Sequence, residues 1–248
     1  WDGSGVNFAL FSEGAAAVPL LAWNYHFDVP AWRERLDLLA RLHLKLPNSA
    51  ALLAWNTDKI YLRDLAARGA PTVPTLFRDR ITSRDVEASR AEFGVDFVVV
   101  KPTISAGAKE TLKLGPDDIL IGAPKGAAML QPFLPAVNGE GELSLFYFGG
   151  RFSHAVRKVA EGEDFRVQPH LGGKVAALTP GPEALEAAEA VLAAAPERPA
   201  YARVDLIRRL DGRLALMELE MIEPDLFLDY APDGGKAFAQ AMKTAIGG

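Results

Sequence analysis

From Ala31 to Leu44 the side chains of Trp32, Leu36, Leu39 and Leu42 recur at the three- and four-residue intervals that give a helix one apolar face. The apolar run Ala17 to Trp23 ahead of it reads as a strand. Asn56 or Thr57 can cap a second helix running to Gly69, a glycine stop followed by Pro71 and Pro74. A third helix is capped by Ser83 and ends at Gly94. The pattern then becomes that of strands. Phe97-Val98-Val99-Val100-Lys101 is a β-branched run stopped by Pro102, and Ile119-Leu120-Ile121 is another short strand. Two hairpins follow: Leu143 to Phe148 and Arg151 to Val156 flank Gly149-Gly150, and Tyr201 to Arg209 and Arg213 to Met221 flank Asp211-Gly212. Between them Pro182 introduces a helix over Glu183 to Ala195. Helices mixed with antiparallel hairpins predict an α+β fold with an α/β piece in front.

The second hairpin carries the first chemical signal. With a two-residue loop, Leu210 faces Arg213 and Asp205 faces Glu218, and Glu220 lies on the same face because side chains alternate across a strand. Like charges opposed on a sheet are unfavourable by about 0.2–1 kcal/mol, and more where water is excluded. A divalent cation removes the conflict, and an all-oxygen donor set suits Mg²⁺ or Mn²⁺ better than zinc. The alternative is that the acids are solvated or paired with basic side chains; Arg203 faces Glu220 in this register.

Composition narrows the field. The chain has 248 residues, 27 Lys plus Arg against 32 Asp plus Glu, and no cysteine. The length suits one large domain or two to three small ones, with a real core. A formal charge of −5 gives no reason to expect nucleic acid or an anionic membrane as partner. Without cysteine there are no disulfides, thiol nucleophiles or Cys-ligated zinc. No apolar run is long enough to span a bilayer, and the default compartment is the cytoplasm. No GxSxG, HExxH, GxxxxGK[ST] or GxGxxG occurs, and His26, His43, His154 and His170 are scattered. Lys101 ends an apolar strand and precedes the small-residue stretch Pro102 to Lys109, where a charge and several backbone N–H groups can meet a phosphate. A plain surface lysine is the alternative, as it is for Lys59 in the first turn of its helix.

Taken together, AWNTDKIYLRDLA, VVVKPTISAGAKET, LQPFLP, GELSLFYFGGRFSHAVRK, DFRVQPHLGG and YARVDLIRRLDGRLALMELEMIEPDLFL resemble, in order and spacing, the ATP-grasp superfamily. The resemblance is to its glutathione-synthetase-like branch, near bacterial ATP-grasp proteins that include the ligase forming D-cycloserine by ring closure. It covers nearly the whole chain. It implies an ATP-grasp fold of two α+β lobes with nucleotide between them: a partial N-terminal α/β domain over 1–47, a small lobe over 48–130 and a large lobe over 131–248. The point matching Trp1 lies beyond a strand and helix that usually begin the front domain, so a preceding βα unit is expected.

The resemblance also implies roles. Lys59 and Lys101 look like the lysines on the α and β phosphates of ATP, with Ser105 in the phosphate loop. Gln131, Pro132, Phe133 and Leu134 look like the segment that reads the adenine edge, and Glu142 like the ribose acid. Asp205, Glu218 and Glu220 look like ligands of catalytic magnesium, and Arg166 like the arginine on the transferring phosphoryl group and acyl phosphate. Gly172 and Gly173 would bring backbone N–H groups to the substrate. His154 and His170 fall in family-like segments and could line its site; Trp23 to His26 is a candidate contact. The implied activity is ATP- and Mg²⁺-dependent ligation of a carboxylate to an amine through an acyl phosphate, on an amino-acid or peptide-like small molecule, with a homo-oligomer left open. Two departures stand out: Glu220 where many relatives carry Asn, and a phosphate loop poor in glycine. An ATP-binding regulatory protein without ligase chemistry is the alternative they leave.

Overall fold

The computed structural model describes residues 15–160 and 173–247. It contains two antiparallel sheets with helices packed on them, an α+β architecture. In the front piece, helix α1 spans Val29–Arg41, with the Asp28 side chain accepting from Ala31 N and Pro30 in its first turn. It buries Trp32 and Leu36 against Leu53 and Ile222. The strand expected over Ala17 to Trp23 is absent: Ala16 makes one isolated bridge to Lys45, and Pro19, which has no N–H to donate, interrupts the run.

The expected second helix is two. α2 (Ala50–Asn56) is capped by Ser49, and α3 (Tyr61–Ala67) follows after a turn, so Asn56 ends a helix rather than starting one. Both helices lie within 48–130, yet Leu52, Tyr61, Leu62 and Leu65 pack into the core of the larger sheet.

The smaller sheet is ordered β1 (Leu76–Arg78), β4 (Ala128–Pro132), β2 (Val98–Pro102), β3 (Leu112–Leu114). α4 (Ser83–Phe93) packs on it through Val86. Its N-cap is Thr82, not Ser83: Thr82 and Asp85 form a reciprocal capping box, and Gly94 closes the helix in the left-handed conformation. Ile119 and Ile121 are exposed and form no strand.

The larger sheet is ordered β7 (Lys174–Leu178), β6 (Arg151–Val159), β5 (Glu142–Phe148), β8 (Tyr201–Arg208), β9 (Leu214–Glu220). α2, α3 and α5 (Pro182–Ala194) bury one face of this sheet against Leu145, Tyr147 and Val204. α6 (Lys236–Ala245) packs by Met242 against Phe146 and Phe148. Among the described residues, no helix is long and apolar enough to cross a membrane.

Candidate active site

The pairing of β8 with β9 aligns Arg203 with Glu220 and Asp205 with Glu218. The route to that alignment differs from the expected one. Arg209 N–H donates to Arg213 O, so the turn holds three residues and Leu210 does not face Arg213. A β-bulge then offsets the extra residue: Leu206 pairs with Leu216 and Asp205 with Glu218, leaving Met217 additional on β9. The bulge turns Met217 into the same cleft as Glu218, its Sδ 3.2 Å from Lys101 Nζ.

That cleft, about 510 Å³, lies between the two sheets. Lys59, Lys101, Ser105, Gln131, Pro132, Phe133, Leu134, Glu142, Asp205, Glu218 and Glu220 all line it. Gly173, before β7, does not, and Arg166, His170 and Gly172 lie outside the described residues. His154 does not line it either; the ring stacks on Phe146 at 4.3 Å, with Nε2 2.9 Å from Leu226 O. The N-terminal candidates Trp23, Tyr25 and His26 do face the cleft.

At one end Lys101 Nζ donates to Gln131 Oε1 at 3.0 Å, and Gln131 Nε2 to Thr75 Oγ1 at 3.0 Å. Burial depresses the Lys101 pKa and Lys59 adds to that, against the pull of Glu218 and Glu142. Lys59 Nζ donates to Ser105 O at 2.7 Å and lies 3.3 Å from Glu218. The loop after β2 has positive φ at Gly107, Ala108 and Glu110, so it bends sharply despite its shortage of glycine.

Carboxylate oxygens of Asp205, Glu218 and Glu220 come within 4.8 Å of one another. They are also ion-paired, as the alternative reading of this face expected. Arg203 bridges Asp205, at 2.9 Å from Nη2, and Glu220. Lys158, 3.3 Å from Asp205, also pairs with Glu142, while Ser144 Oγ donates to Asp205 at 2.5 Å. Burial pushes Asp205 up, but Arg203, Lys158 and Ser144 outweigh it and hold the carboxyl at about 2. Burial also raises Glu218, yet Lys59 brings it below its ordinary value. Glu220 ends at about 7, because burial, Glu218 and Asp205 together exceed the opposing Arg203. Three oxygen ligands of this kind fit a hard divalent cation.

Lys158 and the reach of Arg203 to Asp205 are not evident from motif spacing. Gly141 permits the first: a Cβ there would sit 2.5 Å from Lys158 O, so only glycine lets β5 begin this close to β6.

Comparison with protein-family profiles finds no match. The chain is 31% identical over 271 residues to the cycloserine biosynthesis protein DcsG of Streptomyces lavendulae, covering 99% of this chain and 87% of that protein. The chain belongs to the ATP-grasp ligases. As a member of that family it is an ATP-dependent carboxylate–amine ligase, which sets aside the regulatory alternative. The crystal structure of D-cycloserine synthetase DcsG matches this ATP-grasp ligase with a TM-score of 0.82 at 27% identity, over 99% of this chain and 88% of that one. A glutathione synthetase of Rhodopseudomonas palustris is 28% identical over 179 residues, 68% of this chain and 54% of that enzyme. D-alanine–D-alanine ligase from Bacillus anthracis shares the fold, with a TM-score of 0.64 at 18% identity.

Proposed function

We propose that the cleft binds ATP with magnesium and phosphorylates the carboxylate of a small amino-acid-like molecule, whose acyl phosphate an amine then attacks, releasing ADP and phosphate. The carrying observation is the convergence of Lys59 and Lys101 with Asp205, Glu218 and Glu220 in one cleft. Ring closure within one substrate is the favoured form, given the similarity to a D-cycloserine synthetase.

Lys59 and Lys101 supply positive charge to the phosphates, Gln131 to Leu134 the adenine edge, and Glu142 the ribose hydroxyls. Asp205, Glu218 and Glu220 would hold magnesium, which supplies charge neutralisation during phosphoryl transfer. Arg203 and Lys158 balance the same carboxylates and stand ready to meet negative charge on a phosphate. Arg166 is assigned to the phosphoryl group and the acyl phosphate, and His170, Gly172 and Gly173 to the substrate. An ATP-consuming biosynthetic reaction supports a cytoplasmic setting, and the acidic balance gives no reason to add nucleic acid as a partner.

The test is ADP release with Mg²⁺ across a panel of amino acids, hydroxamates and short peptides. Asp205→Asn and Glu218→Gln should each lose at least about a hundredfold in turnover with unchanged circular dichroism. Full activity in both variants would remove the metal assignment.

A further inference from the structure

Past Glu218 and Glu220 the cleft ends against residues 221–227 and the turn at residues 23–26. The first of these segments is held by its carbonyls from several sides. Tyr201 Oη reaches Ile222 O at 2.8 Å, Trp23 Nε1 reaches Glu223 O at 3.3 Å, and His154 Nε2 lies 2.9 Å from Leu226 O. A loop tied from separate elements presents its side chains in fixed directions.

Glu223 lines the cleft from this loop, and among the described residues its carboxylate forms no ion pair. The nearby cations are engaged with other acids: Lys59 with Glu218, Lys158 with Glu142 and Asp205, Arg203 with Asp205 and Glu220. Burial raises the Glu223 carboxyl to about 8; Glu220 adds to the shift and the charge of Lys59 opposes it. Tyr25 packs close by: after burial, Glu223 is the charge that raises its phenol most. His26 lines the same end, and its Nδ1 is buried with no hydrogen-bond partner among the described residues. A buried carboxyl with no ion-pair partner can receive a cationic ligand, which draws it into the ionised form.

We propose that Glu223 is a specificity-determining residue that binds the ammonium group of the substrate, with Tyr25 and His26 walling that end, so that the enzyme takes a free-amine, zwitterionic amino acid and rejects its N-acylated form. This assignment rests on the ligase reading. It gives the substrate a fixed orientation: ammonium at Glu223, carboxylate toward the phosphate-binding part of the cleft.

The test is calorimetry on the full chain with a non-hydrolysable ATP analogue and Mg²⁺, titrating D-serine, D-alanine and D-cycloserine against their N-acetyl counterparts. At least one free amine should bind about tenfold or more tightly than its N-acetyl form. Glu223→Gln should abolish that preference with affinity for the ATP analogue unchanged. Should Glu223→Gln fail to take up the analogue, Glu223→Asp takes its place and must weaken the preference. The assignment is overturned if N-acetyl compounds bind as well as free amines, if no free amine binds the analogue-loaded protein, or if the substituted protein keeps the wild-type preference. Wild-type protein that cannot bind the ATP analogue overturns the ligase reading, and this assignment with it.

Discussion

Asn56 shows how one residue type supports opposite readings. Its sequence position suits a helix cap, because a short polar side chain beside apolar neighbours commonly accepts from the first free N–H groups. Folded, it ends α2, and its amide spans both sides of Glu220: Nδ2 donates to Leu219 O at 2.8 Å and Oδ1 accepts from Met221 N at 2.9 Å. It therefore sets the backbone that carries a candidate metal ligand. Asn56→Ala leaves two buried backbone groups unpaired, each worth about 1–3 kcal/mol, so urea unfolding should show a loss of about 2 kcal/mol or more. A loss below about 0.5 kcal/mol, the range of an ordinary surface change, would mean that water replaces the amide. Candidate residues marked by type and local spacing, such as Lys101 after its β-branched strand, do line the cleft. Asn56, Arg203 and Lys158 act through partners that only the fold brings near, and no local pattern marks them.

At the level of elements, α4 offers a direct electrostatic test. The Thr82 hydroxyl and then Arg78 hold Asp85 below its ordinary carboxylate value. A depressed carboxyl contributes stability that is present above the unfolded value, near pH 4, and fades as pH falls through the folded one. Asp85→Asn should therefore cost about 1 kcal/mol at neutral pH, and the gap from wild type should narrow steadily below pH 4. A gap independent of pH would assign the effect to hydrogen-bond geometry alone. Helix ends of this kind can be read to within a residue or so, and Thr82 in place of Ser83 is such a shift. Hairpin registers are harder, because a bulge leaves no fixed sequence mark. In the Gly149-Gly150 hairpin an unbroken ladder would set Glu142 opposite Arg157, whereas the irregularity at Phe146/Tyr147 delivers the buried Lys158 instead. In the Asp211-Gly212 hairpin a longer turn and the bulge at Met217 cancel, so Asp205 still meets Glu218.

For the whole molecule, the cleft is where the two sheets meet, and Met129 of β4 and Phe77 of β1 reach into the core of the larger sheet. Residues leading into β1 run beside β9, with Leu216 N donating to Pro71 O at 2.8 Å and Val73 N to Leu216 O at 3.0 Å. A small cluster of Val73, Leu134, Val137, Ile207 and Ala215 and the Lys101–Met217 contact also bridge the sheets. A ligand that touches both sheets adds its binding energy to the folded state alone. At a hundred times its dissociation constant it stabilises by about 2.7 kcal/mol, which raises the melting temperature by about 5–10 °C in a chain of this length. A non-hydrolysable ATP analogue with Mg²⁺ should produce a shift of that size. The double variant Asp205→Asn/Glu218→Gln should lose the part that depends on Mg²⁺ and keep the part due to nucleotide on Lys59 and Lys101. Lys59→Met/Lys101→Met should lose both, since the metal is expected to bind with the phosphates. If the wild-type melting temperature ignores the nucleotide with and without Mg²⁺, the cleft is not a nucleotide site, whatever the arrangement of its carboxylates.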